Sequence, residues 1–250
     1  MYSKYSYQLK NGAIFVADSH YSPKKTIFLE FLEYIESLEN KPSQMIFLGD
    51  NFDLLVGQVK EHKYKYHKII KLINELSIDI EIIYFEGNHD FNISNLFPNI
   101  KVFPIQKQPL LLKDNNINIL ASHGDCYSNK SYMFYSKIIR NDFVGRLLTL
   151  FNLNFFLINK IEEKLEKKSI CGKWDLTKVA KSRIEIFNKM FNPIFGKIDF
   201  LIEGHFHQSG KYRFQEIPET TYIATPSLYC TKDIVVYENN SFIKKKFYDI

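Results

Sequence analysis

Residues 80–90, IEIIYFEGNHD, place a short apolar run directly before a glycine, an asparagine, a histidine and an aspartate. The run is rich in isoleucine and aromatic residues, which is typical of a buried β-strand. Four other predicted strands also run into a short cluster of Asp, Asn or His. These clusters are Asp18-Ser19-His20, Gly49-Asp50-Asn51-Phe52-Asp53, His123-Gly124-Asp125 and Gly204-His205-Phe206-His207. The repetition indicates that one kind of site recurs at the strand ends.

Helical patterns separate several of these strands. Apolar side chains recur every three to four positions in residues 24–39, 60–76 and 178–191, as they do in helices that pack on a sheet. Three closing strands then follow without helices between them, at residues 221–224, 234–237 and 242–247. This order of elements predicts a layered α/β sandwich.

The clustered residue types are those that bind metal ions. Carboxylate oxygens, amide oxygens and imidazole nitrogens together suit Mn²⁺, Fe²⁺ or Zn²⁺. In an open α/β sheet, ligands bind outside the carboxyl ends of the strands, so we expect these side chains to converge on one rim. The candidate ligands are Asp18, His20, Asp50, Asn88, His123, His205 and His207. Since one ion rarely takes so many protein ligands, we expect two ions that share a carboxylate and act on a phosphoryl group.

This ordered set of motifs, DxH, GD, GNHD, HGD and GHxH, resembles that of the calcineurin-like metallophosphoesterases over essentially the whole chain. The resemblance implies a four-layered α/β/β/α sandwich with a helical cap insertion. The core would comprise residues 1–127 and 176–250, and the cap would comprise residues 128–175. The resemblance also implies an enzyme, a metal-dependent hydrolase.

The same resemblance implies a role for each candidate residue. Two divalent ions, Mn²⁺ in the first place and Fe²⁺ or Zn²⁺ as alternatives, would share Asp50 as a bridge. The first ion would also bind Asp18, His20 and His207, and the second would also bind Asn88, His123 and His205. His89 would contact the phosphate or protonate the leaving oxygen, and Asp90 could orient His89.

Within that family the chain most resembles the UDP-2,3-diacylglucosamine diphosphatases of lipid A synthesis. The likeness rests on total length, on the GDNFDLLVG block at residues 49–57, and on the HGD motif followed by a helical insertion. It implies cleavage of UDP-2,3-diacylglucosamine at its diphosphate to 2,3-diacylglucosamine 1-phosphate and UMP, with the acyl chains taken by the cap. One residue departs from the best-known branch, which carries Arg where this chain has His89; a histidine there is the general phosphoesterase pattern.

The insertion is helical and aromatic, with interleaved basic residues. Residues 147–158 are apolar on most sides and need a partner, for which packing on the core and contact with a lipid or membrane are equally open. Candidate substrate contacts are Tyr132, Arg140 and Lys173, while Trp174 is either a packing anchor or a ligand platform. The charged residues 162–168 are interpreted as a solvated helix face.

Charge and cysteine content limit the partners and the cellular compartment that we expect. The net charge of +5 permits an anionic partner and selects none, and without a basic stripe that carries stacking aromatics beyond the insertion we expect no nucleic-acid partner. The widely spaced Cys126, Cys171 and Cys230 argue against a disulfide framework and favour a reducing compartment. No secretory signal and no apolar run of 18 residues is visible. We therefore expect a cytoplasmic protein, soluble or peripheral on the inner membrane.

Several alternatives stay open. The same core could hydrolyse a nucleotide, phosphoprotein or nucleic-acid phosphoester, or it could serve as a non-catalytic scaffold for protein binding. Asp53 could accept a hydrogen bond from a ligand or cap a helix, and Asp125 is expected to support His123. His62 and His67, on a lysine-rich helix, are predicted to lie on the surface.

Overall fold

The computed structural model describes residues 6–128, 130–141, 160–165, 169–172 and 175–250. Two six-stranded sheets form its centre. The first sheet runs in the spatial order β14 (Ser241–Lys246), β13 (Asp233–Glu238), β2 (Ala13–Val16), β3 (Gln44–Phe47), β5 (Glu81–Phe85) and β7 (Lys101–Phe103). The second sheet runs in the order β1 (Tyr7–Gln8), β8 (Leu110–Asp114), β9 (Ile117–Ser122), β10 (Phe200–Glu203), β12 (Ile217–Ala224) and β11 (Gly210–Phe214). A separate parallel pair joins β4 (Leu55–Val56) to β6 (Asp90–Phe91).

Helices cover the outer faces of both sheets. The described helices are α1 (Ile27–Ser37), α2 (Lys60–Lys65), α3 (His67–Asp79), α4 (Lys130–Ile139), α5 (Leu176–Phe195) and α6 (Leu228–Thr231), with 3₁₀ turns at Ser94–Leu96, Ile105–Lys107 and Phe247–Asp249. Helices α1 and α3 pack on the first sheet. Helix α5 packs on the second sheet.

The alternation of side chains along each strand builds three apolar layers. Phe15 of β2 points into the core between the two sheets, while its neighbours Ile14 and Val16 pack under α1 and α3. Successive side chains of a strand point to opposite faces, so a strand buried on both faces must be apolar throughout. The four-layered α/β/β/α prediction is therefore confirmed.

Some predicted elements differ in detail. The helix predicted at residues 60–76 is two helices, because the chain leaves helical geometry at Tyr66, and the second helix continues to Asp79. Strand β8 was not predicted; it pairs antiparallel with β9 across a turn in which Asn115 has a positive φ of 49°. The turn contains two asparagines, Asn115 and Asn116, a residue type that favours turns, so the sequence does indicate a turn here.

Of the predicted insertion, residues 128–175, the described structure contains α4, a helical segment at residues 160–165 and the short segment 169–172. The apolar stretch 147–158, Lys173 and Trp174 lie outside the described residues. Within the described ranges, no helix is long and apolar enough to cross a membrane.

The expectations for His62 and for a disulfide are wrong, and the expectation for residues 162–168 holds in part. His62 is buried, because its Nδ1 accepts a hydrogen bond from the Val56 N–H at 2.9 Å; His67 is exposed as predicted. Of the face predicted to be solvated, Glu163 and Lys164 are exposed, whereas the Glu162 carboxylate lies 2.7 Å from the Lys65 ammonium; residues 166–168 lie outside the described residues. Cys171 and Cys230 form a disulfide, because the fold brings together two residues that lie 59 positions apart.

Candidate metal centre

The strand ends of both sheets meet at one rim. Strands β2, β3 and β5 are parallel neighbours in the first sheet, and β9 and β10 are parallel neighbours in the second. The loops that leave these five strands carry Asp18, His20, Asp50, Asn88, His123, His205 and His207. The Asp18 carboxylate accepts a hydrogen bond from the His205 N–H at 2.8 Å and so joins the two sheets. The structure brings all seven candidate ligands together.

These side chains form two clusters. The first cluster comprises Asp18, His20 and His207, whose ligand atoms all lie within 4.8 Å of one another. The second cluster comprises Asp50, Asn88, His123 and His205; its carboxylate and imidazole ligand atoms also lie within 4.8 Å of one another, and the Asn88 Oδ1 is 3.3 Å from the His123 Nε2. Each cluster therefore offers the mixed oxygen and nitrogen set that a divalent ion takes.

Backbone carbonyls outside the clusters orient the imidazole rings. The His123 Nδ1–H donates to the Leu48 carbonyl at 2.6 Å, and the His207 Nδ1–H donates to the Ile170 carbonyl at 2.5 Å. Because a carbonyl only accepts, the proton of each neutral ring is on Nδ1, and the Nε2 lone pair faces the site. His89 is held in the same way by the Asp53 carbonyl at 2.6 Å.

Two further observations indicate that the clusters are suited to bind cations. The Nε2 atoms of His20 and His207 lie 3.2 Å apart, and the Asp18 Oδ1 is buried without a hydrogen-bond partner. Lone pairs of this kind repel one another, and a buried oxygen without a donor is costly. A divalent cation among these atoms would satisfy them all.

Electrostatics favour an ionised Asp50. Burial alone would raise the pKa of its carboxyl group, but the imidazoles of His123 and His89, when protonated, hold that pKa well below its usual range. The His123 Nε2 lies 3.5 Å from the Asp50 Oδ2. Asp50 is therefore a carboxylate at neutral pH and can act as an oxygen ligand.

The ligand loops adopt unusual backbone geometry. Five candidate ligands have positive φ values: 51° at Asp18, 48° at His20, 51° at Asp50, 69° at His205 and 59° at His207. Non-glycine residues in this region cost about 1–3 kcal/mol each and cluster at functional sites. This backbone strain therefore lowers the stability of the fold, and it directs these side chains toward one point.

Asp90 does not orient His89, and that expectation is wrong. The Asp90 carboxylate instead accepts four hydrogen bonds, three from the ligand loops and one from Tyr84 of β5. Its donors are the backbone N–H groups of Asp50 (3.0 Å), Asn51 (2.7 Å) and Gly87 (2.8 Å) and the hydroxyl of Tyr84 (2.6 Å). Burial and the neighbouring Asp50 carboxylate raise the pKa of Asp90 to about 7. Asp90 therefore fixes the loops on which the ligands sit.

Arg140 and Tyr132, which were predicted to contact substrate, instead form hydrogen bonds within the protein. Arg140 is only 6% exposed, and its Nη2 donates to the Gly87 carbonyl at 2.6 Å, so it faces the protein interior. The Tyr132 hydroxyl donates to the Asp125 carboxylate at 2.6 Å. Asp125 thus binds α4 rather than His123, whose Nδ1 is engaged by the main chain.

Two contributors were not found from the sequence. Ile170 acts through its backbone carbonyl, for which no side-chain signal exists. Lys25 lies 2.7 Å from the Asp53 carboxylate, whose other oxygen is 3.5 Å from the His20 Nδ1, so Asp53 links a lysine to a candidate ligand. A cavity of about 350 Å³ lies over the clusters, lined by His20, Asp50, Asp53, Asn88, His89, Leu165, Ser169, Ile170, Gly172, His205 and His207.

Two adjoining carboxylate–imidazole clusters at the carboxyl rim of an α/β/β/α sandwich define a metal-dependent hydrolase. Residues 13–209 match the family described as Calcineurin-like phosphoesterase. Because this match covers most of the chain, the protein belongs to that family.

Similar proteins carry a more specific name. The UDP-2,3-diacylglucosamine hydrolase of Proteus mirabilis (strain HI4320) is 26% identical over 203 residues, which are 78% of this chain and 81% of that protein. The protein of the same name from Hamiltonella defensa subsp. Acyrthosiphon pisum (strain 5AT) is 22% identical over 211 residues, 82% of this chain and 81% of that protein. A dimetal phosphatase from Danio rerio has a TM-score of 0.44 at 12% identity, covering 94% of this chain and 95% of that chain.

Proposed function

We propose that this protein hydrolyses the diphosphate of UDP-2,3-diacylglucosamine to 2,3-diacylglucosamine 1-phosphate and UMP. The observation that carries the proposal is a complete pair of ligand clusters beneath a cavity whose wall includes insertion residues Leu165, Ser169, Ile170 and Gly172. The names of the similar proteins, which align over about four-fifths of the chain, support the lipid-linked nucleotide as substrate.

The proposed metal centre holds two divalent cations, with Mn²⁺ preferred and Fe²⁺ or Zn²⁺ as alternatives. The first cluster would hold one ion, the second cluster would hold the other, and Asp50 would bridge them. When bound, such a pair lowers the pKa of water and neutralises charge on phosphoryl oxygens. The carbonyls of Leu48 and Ile170 keep the ring nitrogens aimed at the ions, so the chain supplies a site that is already organised.

His89 would stabilise the phosphoryl group. Its Nε2 lies 4.0 Å from the Asp50 Oδ2, while its Nδ1–H is held by the Asp53 carbonyl, so only Nε2 is available to the substrate. Cleavage of a diphosphate releases a phosphate monoester, whose second pKa is about 6. Such a leaving group needs charge neutralisation more than a proton. This requirement explains how either His or Arg could serve at this position.

The insertion would act as the cap, with the core at residues 1–127 and 176–250 and the cap at residues 128–175. Helix α4 leaves Phe134 68% exposed, Tyr135 58% exposed and Ile138 42% exposed. We propose that this apolar surface belongs to the acyl-chain side of the substrate, at a membrane surface. An interfacial position would give the enzyme access to a substrate that is itself anchored in lipid.

Turnover by purified, Mn²⁺-loaded protein tests the proposed reaction. UDP-2,3-diacylglucosamine should be converted to UMP and the lipid monophosphate, and a chromogenic phosphodiester should be a poorer substrate. Asp50→Asn should abolish the reaction. Asp79→Asn, on the surface with its side chain 62% exposed, is the matched control and should leave it unchanged. Turnover of the chromogenic diester alone would contradict the proposal.

One observation favours a second candidate, a phosphoesterase for substrates other than the lipid nucleotide. His89 is the general phosphoesterase residue, and an alkoxide leaving group needs the proton that an imidazolium can give. His89→Arg separates the two candidates. The variant should retain diphosphate cleavage and lose alkyl phosphodiester cleavage if the lipid nucleotide is the substrate. Loss of both activities would favour the second candidate.

A further inference from the structure

Arg140 connects the insertion to the loop that carries Asn88. It lies one residue beyond the end of α4 and is buried, and its Nη2 donates to the Gly87 carbonyl at 2.6 Å. Its Nη1 contacts the hydroxyl of Ser136 on α4, and its guanidinium carbon lies 5.3 Å from the centre of the Phe91 ring. The arginine side chain thus spans from α4 to the metal centre.

The contact with Gly87 bears directly on Asn88. The Gly87 carbonyl and the Asn88 N–H belong to the same planar peptide unit, so fixing the carbonyl fixes the plane from which Asn88 begins. This peptide is tightly packed, because a Cβ atom on Gly87 would lie 2.2 Å from the Asp50 Oδ1. A small rotation of the peptide would therefore move the Asn88 side chain relative to Asp50.

The core holds the same loop at other points. The Gly87 N–H donates to Asp90 at 2.8 Å, and the His89 N–H donates to Asp50 at 2.8 Å. Of the described contacts to this loop, the bond from Arg140 is the one that reaches the Gly87 carbonyl from the insertion. The Asn92 amide closes the connection by donating to the Arg140 carbonyl at 3.1 Å.

We infer that Arg140 is a positioning residue for the second cation site: it sets the orientation of Asn88 and makes occupancy of that site depend on the docking of α4. The inference rests on the dinuclear centre of the proposed function. The first cluster, Asp18, His20 and His207, has no described bond to Arg140 or to the Gly87 carbonyl. The effect of Arg140 should therefore be confined to the second ion.

A Mn²⁺ titration of the full chain, followed by electron paramagnetic resonance, tests this inference. In Arg140→Met the second ion should bind about 10–100-fold more weakly, as is usual when a group that orients a metal ligand is removed. The first ion should bind within about twofold of wild type, and the spin-coupled signal of the ion pair should appear only at higher Mn²⁺. Arg140→Lys, which can still donate one bond to Gly87, should recover part of the loss. Lys137→Met, at an exposed position on α4, is the control.

Equal weakening of both ions, or no weakening of either, would overturn the inference. If Arg140→Met does not fold, Asn92→Ala carries the same test, because it removes the bond to the Arg140 carbonyl and leaves the guanidinium in place; a smaller but still selective loss of the second ion is expected. Metal binding is read without substrate. Wild-type protein that binds two ions but leaves the lipid nucleotide intact would contradict the proposed function and not this inference.

Discussion

The two clusters lie side by side at one rim, yet different parts of the chain hold them. In the second cluster, His123 is fully buried and is fixed by the Leu48 carbonyl of the core. In the first cluster, the His207 side chain is 16% exposed and is fixed by the Ile170 carbonyl of the insertion. Ile170 adjoins Cys171, which the disulfide joins to Cys230 of the core.

This difference shows that one site can combine two kinds of support. The second cluster lies at the strand ends of the core, and its loop receives one bond from Arg140, just beyond α4, through the Gly87 carbonyl. In the first cluster, His207 is held by Ile170 of segment 169–172, which also lines the cavity. Changes in segment 169–172 should therefore affect mainly the first cation, and changes at Arg140 should affect mainly the second.

The largest effect should come from Asp50, which both proposed cation sites would share. Asp50→Asn removes the charge that would bridge the two ions and weakens the bond from the His89 N–H. We expect hydrolysis to fall by about 10³-fold or more, in line with the loss of a principal electrostatic group, and both Mn²⁺ ions to bind more weakly. Steady-state rates and equilibrium dialysis measure the two effects. Loss of only one ion with full activity would show that Asp50 does not bridge.

The next largest effect should come from a buried ion pair, Arg183 and Glu203, near His123 of the second cluster. Glu203 accepts from Arg183 at 2.5 Å and from the Ser122 hydroxyl at 2.6 Å, and Ser122 directly precedes His123. Glu203→Gln leaves the Arg183 cation buried and unpaired, so the free energy of unfolding should fall by about 3–5 kcal/mol. Denaturant unfolding measures this. Glu216→Gln, which affects a surface pair with Lys181, should change it by less than about 1 kcal/mol.

The same pair has a defined pH dependence. Burial alone would raise the pKa of Glu203, but the Arg183 guanidinium lowers it below its ordinary value. A lowered carboxyl pKa contributes stability that is present above the ordinary pKa and is lost as the pH falls through the folded-state value. The difference in stability between wild type and Glu203→Gln should therefore be constant near neutral pH and shrink in acid. A difference that grows in acid would contradict this assignment.

A smaller and selective effect should come from the disulfide. Cys171→Ser removes the covalent link that holds Ile170 beside His207. We expect the first ion to bind about tenfold more weakly, because an orienting group of a ligand is loosened, while the second ion is unaffected. Cys230→Ser should behave in the same way, and Ser169→Ala is the control within the segment. A loss confined to the second ion would refute the proposed division of support.

The smallest effect should come from the outer contact of the insertion. Glu162 lies 2.7 Å from the Lys65 ammonium and 3.5 Å from the His62 Nε2, and both neighbours hold the pKa of Glu162 below its usual range. The pair is partly exposed, so Glu162→Gln should cost about 1 kcal/mol or less and leave both ions bound. Thermal unfolding measures the cost, with the exposed Glu163→Gln as control. Loss of either ion would show that the contact of Glu162 with Lys65 and His62 is needed for metal binding, and would contradict this prediction.

The candidate metal ligands were predictable because each follows a strand, and strand order carries them to one rim. Asp18 and His207 are 189 positions apart, yet both could be assigned from the local pattern of an apolar run followed by polar residues. The sandwich followed from the same runs. The positions of the strands and of their carboxyl ends were thus sufficient to predict the candidate ligands.

The supporting contacts were not predictable, because they depend on direction and on the main chain. The GNHD motif does not reveal that Asp90 turns toward backbone N–H groups rather than toward His89. The role of Ile170 belongs to its carbonyl, which every residue possesses. Arg140 was expected to meet substrate, and only the packing of α4 shows that it meets Gly87 instead. Tertiary contacts between distant segments set all three.

Anomalous diffraction from crystals of the Mn²⁺-loaded protein tests the paired centre most directly. We expect two Mn²⁺ peaks about 3.5–4 Å apart, one among Asp18, His20 and His207 and the other among Asn88, His123 and His205, with the Asp50 carboxylate between them. A single peak at saturating Mn²⁺, or two peaks that do not share Asp50, would contradict the account.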